Sequence, residues 1–132
     1  MIGYVTIGTD QLERARAFYD SLLAEIGARR LLQLEETGFT LYGTAFGKPG
    51  LAVTKPYNRE PAVAGNGNMV AMTVESRDMV DRLHAKALEL GGTDEGAPGL
   101  RAGGEGPRAF YGAYFRDLDG NKICVFKVGP AA

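Results

Sequence analysis

The order strand, helix, strand, strand, strand occurs twice along this chain, and that duplication limits the possible fold more than any other feature. The first copy occupies residues 1–54. Ile2-Gly3-Tyr4-Val5-Thr6-Ile7-Gly8 alternates with period two, then Asp10, with Glu13 three residues on, reads as a helix start that favours the positive end of the dipole. Leu12, Ala15, Phe18 or Tyr19, Leu22 and Ile26 form an apolar stripe at helical spacing, and Gly27 stops it. Leu31–Leu34, Phe39–Phe46 and Leu51–Thr54 follow as short strands separated by Glu36-Thr37-Gly38 and Gly47-Lys48-Pro49-Gly50. Residues 55–68 carry two prolines and no apolar period, so they read as a linker.

The pattern restarts over residues 69–128. Met69–Val74 is strand-like, Ser76 caps a second helix reaching Leu90, and Gly91-Gly92 ends it. Val80, Leu83, Ala87 and Leu90 make its apolar stripe. A Gly-rich loop from Gly96 to Pro107 leads to a strand over Ala109–Arg116, with room for a short irregular strand near the start of the loop. Asp117-Leu118-Asp119-Gly120-Asn121 is a turn, since Asp and Asn side chains bond nearby backbone and tolerate positive φ. It feeds a last strand in which Ile123 and Val125 share one face, Cys124 and Phe126 the other. The expected fold is α+β: two βαβββ modules forming a cupped mixed β-sheet, with one helix packed behind each module, in a single domain.

Composition removes several function classes. Lys and Arg total 15 against 16 Asp and Glu, so no basic field attracts nucleic acid or anionic lipid. No apolar run approaches membrane-spanning length, and a strand directly after Met1 leaves no room for a signal peptide. The single cysteine forms no internal disulfide or thiolate cluster and fits a reducing compartment, so the expected location is cytoplasmic.

The residues expected under the helices are cleanly apolar: Val5, Ile7, Val70, Met72, Val74, Ile123 and Val125. The opposite face is mixed. It is expected to hold Tyr4, Thr6, Met69, Thr73, Cys124 and Phe126, with Tyr42, Thr44 and Thr54, lining a cup of aromatic, hydroxyl and sulfur groups suited to a small molecule. With no Trp, stacking on a flat ligand falls to Tyr4, Tyr42, Tyr111 or Phe126. Tyr4 either donates to a ligand oxygen or bonds a neighbouring strand. Arg101 and Arg108 flank the Gly-rich loop, where each either clamps a carboxylate bidentately or stays solvated. Cys124 needs a base or a positive partner to act as a nucleophile, and the sole histidine, His84, belongs to a helix behind the sheet; a buried small hydrophobe is the expected role.

Ile2–Gly8 ahead of Leu12–Tyr19, Leu90-Gly91-Gly92-Thr93 and Phe115–Ile123 together resemble the vicinal oxygen chelate superfamily of glyoxalase I, bleomycin- and fosfomycin-resistance proteins and extradiol dioxygenases. Leu118 stands where that family's turn has proline. The resemblance covers essentially the whole chain. It implies a divalent metal held by His and Glu in catalytic members, a Lewis acid that chelates adjacent substrate oxygens. Aligned by motif, those ligands fall on Tyr4, near Thr54, on Met69 and on Cys124, so no position keeps the expected imidazole or carboxylate. The resemblance therefore implies no metal and no cofactor here, and a small-molecule ligand, an amphipathic or aromatic metabolite or drug, as in the bleomycin-binding proteins. It also implies a homodimer. Two other functions fit the resemblance. One is a metal-dependent lyase or isomerase of the lactoylglutathione lyase type, recruiting acids such as Glu75 or Glu105; the other is a non-catalytic regulatory or scaffold subunit.

Overall fold

The computed structural model describes residues 1–131, and they form eight strands and two helices. The chain divides into two units, Met1–Asn66 with Leu118–Asn121, and Gly67–Asp117 with Lys122 onward. In the first, β1 (Tyr4–Gly8), α1 (Leu12–Ala24), β2 (Arg29–Gln33), β3 (Thr40–Gly43) and β4 (Gly50–Thr54) build a sheet of order β1-β4-β3-β2. In the second, β5 (Val70–Thr73), α2 (Arg77–Glu89), β6 (Thr93–Leu100), β7 (Phe110–Arg116) and β8 (Lys122–Val128) give β5-β8-β7-β6. The two orders are the same permutation: first and last strands of each unit run parallel, and the other pairings are antiparallel. Among the described residues no helix is long and apolar enough to cross a membrane.

Each helix covers one sheet face. Phe18, Tyr19, Leu22 and Leu23 of α1 are buried with Ile7, Leu51 and Val53, while Val80, Leu83 and Ala87 of α2 are buried with Ile123, Val125 and Phe115. Each fully buried Leu contributes about 1.5–3 kcal/mol relative to exposure. Glycines at positive φ, Gly27 (75°) and Gly91 (102°), end the two helices where an L side chain would be strained.

Two local details differ from the sequence expectation. Helix α1 is not capped by Asp10: its N-cap is Gln11, with no side-chain cap bond, because Asp10 accepts instead from the Ala62 N–H at 2.8 Å. Ser76 does cap α2, accepting from the Met79 N–H at 3.1 Å. The start of the Gly-rich stretch lies within a full strand, β6, which pairs with β7 through two register shifts, between Asp94 and Gly96 and between Gly96 and Gly99. The Gly and Pro that hide its period-two signal produce those shifts. His84 is buried, and its Nε2 meets Asp94 Oδ1 at 2.9 Å, which secures α2 to β6.

Candidate functional site

Pairing registers show which side chains oppose the helices. In the first unit Tyr4 and Thr6 of β1 line up with Gly50 and Ala52 of β4, and Gly8 lines up with Thr54. Tyr4 is 54% exposed and sets its ring edge-on to Phe39, centroids 5.5 Å apart. Thr54 donates to its neighbour's carbonyl, Lys55 O, at 3.1 Å. In the second unit Thr73 opposes Phe126 and Ala71 opposes Cys124 across β5 and β8, while Tyr114 and Gly112 of β7 oppose Cys124 and Phe126 from the other side.

Two expected site residues belong elsewhere. Tyr42 is 1% exposed beneath α1, where its hydroxyl bonds Asp20 Oδ1 at 2.8 Å and Arg16 O at 3.2 Å. Burial, then Asp20, pushes its pKa up. The helix brings a buried Arg16 and the Asp20 carboxylate to that face, so polar residues of β3 turn inward to meet them; Thr40 likewise accepts from Arg16 Nε at 2.8 Å. Tyr111 also faces its helix. Its hydroxyl donates to Asp81 Oδ1 at 2.7 Å and the Arg77 guanidinium lies 5.1 Å from its ring centroid. The alternation of β7 carries the signal for this, since Tyr111 shares a face with buried Ala113 and Phe115.

The open face of the second sheet gathers Arg101, Cys124 and Phe126, together with three residues that sequence reasoning missed: Phe110, Tyr114 and Lys122. Phe110 and Phe126 stack with centroids 4.9 Å apart and planes 10° from parallel. Gly112 makes this possible: a Cβ there would stand 2.7 Å from the Phe110 ring. Two residues beyond Gly112 on the same face, the Tyr114 ring has two cations near it, with the Arg101 guanidinium carbon 5.2 Å and Lys122 Nζ 5.6 Å from its centroid. Arg101 is held in place by two backbone carbonyls, Gly99 O at 3.1 Å and Ala97 O at 2.7 Å. Gly96 and Gly99 leave space for it, since a Cβ at either would approach the guanidinium to 3.3 Å. Neither Arg101 nor Lys122 forms an ion pair with a carboxylate of the described residues.

Cys124 is 0% exposed. Burial pushes its thiol up, more than the Tyr114 hydroxyl and the charges of Arg101 and Lys122 pull it down, so it stays protonated at neutral pH. It is a neutral wall residue.

The family model for the Glyoxalase/Bleomycin resistance protein/Dioxygenase superfamily matches residues 1–125. A glyoxalase/bleomycin resistance protein from Albidiferax ferrireducens T118 is 34% identical, with 96% of this chain and 98% of that chain covered and a TM-score of 0.83. The hypothetical protein SA1046 from S. aureus is 21% identical over 96% of this chain and 92% of its own, with a TM-score of 0.71. A lactoylglutathione lyase from Agrobacterium tumefaciens shares the fold at 20% identity, 96% and 92% coverage and a TM-score of 0.63. No curated protein matches the chain. The chain belongs to the Glyoxalase/Bleomycin resistance protein/Dioxygenase superfamily.

The metal that the resemblance implies for catalytic members does not fit the residues that the motif alignment puts at its positions. A phenol at Tyr4, a hydroxyl at Thr54, an exposed thioether at Met69 and a buried, protonated thiol at Cys124 offer a hard divalent ion neither carboxylate nor imidazole. Glu105, an acid that could be recruited instead, has both oxygens on Arg77, at 2.7 and 2.8 Å. Glu75 is exposed. Among the described residues no three His, Cys, Asp or Glu side chains come together to hold an ion.

Proposed function

We propose that this protein binds a small amphipathic or aromatic molecule, a metabolite or drug, on an open sheet face without a catalytic metal. The observation that carries this reading is the open face of the second sheet, where the Phe110–Phe126 stack adjoins a tyrosine flanked by two cations. Apolar surface with a few fixed polar groups is the usual makeup of a ligand site. The donor set at Tyr4, Thr54, Met69 and Cys124 supports the metal-free part of the reading. The lyase from Agrobacterium tumefaciens, at 20% identity, supports the fold and carries no activity across.

A homodimer in the cytoplasm completes the proposal. The single thiol fits a reducing compartment. Exposed Ile2, Tyr4 and Phe46 give the first unit apolar surface for a second copy, which sedimentation velocity tests by showing dimer or only monomer.

The direct test is thermal unfolding in EDTA against a panel of neutral, cationic and anionic aromatic compounds. A ligand that binds only the folded state raises the midpoint. The expected outcome is a rise with at least one compound, unchanged when divalent metal replaces EDTA. Silence across the panel, or binding that requires the metal, overturns the proposal.

A further inference from the structure

The second unit holds two cations on one aromatic ring and gives neither a counter-ion. Arg101 and Lys122 both lie within 5.6 Å of the Tyr114 centroid. Two like charges beside one ring and without a carboxylate partner raise the local positive potential, which an anion bound there lowers. Arg101 is fixed before any ligand arrives: two of its five N–H groups are spent on Gly99 O and Ala97 O, and three remain to donate. The Ala97 carbonyl lies in the second register shift of β6, outside the ladder with β7, which leaves it free to accept from Arg101. The guanidinium lies across Gly96 and Gly99, whose missing side chains make room for it. Bulge and glycines, unexplained by the fold alone, thus serve to position one charge.

The apolar neighbour narrows the ligand class. Phe126 shares its face with Cys124, the cross-strand partner of Tyr114, two residues and so about 7 Å along the strand. A free inorganic anion would use the cations and ignore the Phe110–Phe126 stack. A neutral aromatic would do the reverse. We propose that this face selects an amphipathic organic carboxylate, with its carboxylate against Arg101 and Lys122 and its flat apolar body on Phe110 and Phe126. This rests on the ligand-binding reading above and names the class of ligand.

The test compares 3-phenylpropionate with its uncharged counterpart, 3-phenylpropanol, by amide NMR titration of the full chain. Sodium phosphate is a third arm. The acid is expected to bind about tenfold or more tighter than the alcohol, as loss of a charge-assisted bond implies. It should shift the amides of Gly96, Tyr114, Cys124 and Phe126, whereas phosphate alone binds more weakly than the acid. Lys122→Met removes a charge, keeps the apolar stem and breaks no side-chain hydrogen bond found among the described residues, so its spectrum should stay folded while the acid's advantage shrinks. Arg101→Met is expected to remove more of it. Equal binding of acid and alcohol, or an acid advantage that survives both substitutions, overturns the carboxylate assignment. If compounds without a carboxylate are the ones that stabilise the protein, the ligand-binding reading stands and this assignment falls. If no compound of either experiment binds, both fall.

Discussion

The phenol of Tyr42 donates to Asp20 at 2.8 Å, and the same carboxylate takes Arg30 Nε and Nη2 at 2.9 and 2.8 Å. Removing the hydroxyl takes away one of the hydrogen bonds that Asp20 accepts and leaves the buried side of its carboxylate less satisfied. Tyr42→Phe is therefore expected to cost about 1–2 kcal/mol, read from denaturant midpoints, with no effect on ligand affinity because the ring faces α1. Burial alone would raise the Asp20 pKa, but hydrogen bonds from Arg30 and Tyr42 outweigh it and hold the carboxyl below its usual range. Since the folded state takes up this proton less readily than the unfolded chain, the stabilisation is full above about pH 4 and drains away as pH falls through the lower folded value. Asp20→Asn should flatten the acid limb of a plot of thermal midpoint against pH; an unchanged limb counts against the network. Sequence alone placed Tyr42 and Tyr111 on the open face for one physical reason. A tyrosine follows the apolar side of a strand when its hydroxyl finds a helix-borne carboxylate, and Asp20 and Asp81 are remote from those strands in sequence.

The ends of α2, the stop of α1 and the succession of elements along the chain are legible because they depend on local chemistry. Ser76 ahead of an apolar stripe, and Gly91 after it, mark α2 without knowledge of the tertiary structure. The irregular course of β6 is legible only in part. A short irregular strand is expected at the start of the loop, but Gly96, Pro98 and Gly99 break the alternation, and its extent from Thr93 to Leu100 emerges only through pairing with β7. The face of Tyr114 follows from the alternation of β7, but its two cations come from other strands, Lys122 from β8 and Arg101 from just beyond β6, and only the sheet brings them together. At the junction of α2 and β6, a Cβ on Gly92 would meet the carbonyl oxygens of Arg116 and Ala87 at 2.8 and 2.9 Å. Both obstacles are backbone, so Gly92→Ala is expected to destabilise by about 1–3 kcal/mol. Gly3 has nothing within 4 Å of an added Cβ and serves as the control; Gly3→Ala should stay within about 0.5 kcal/mol of wild type by the same chemical denaturation.

Across the whole molecule, the repeated βαβββ order fixes the family, while the chemistry depends on which side chains occupy the open faces. Two units of one topology can carry unlike faces, and here the second carries the cationic and aromatic cluster. The residues that the motif resemblance aligns with a metal centre, Tyr4, Thr54, Met69 and Cys124, are a phenol, a hydroxyl, a thioether and a buried thiol, neither carboxylate nor imidazole. Elemental analysis of protein purified without chelator and dialysed against metal-free buffer asks most directly whether this family member works without a metal. The expected result is nickel, zinc, iron and manganese each far below one equivalent per chain; a near-stoichiometric content of any one of them, lost on Tyr4→Phe or Cys124→Ala, would contradict it.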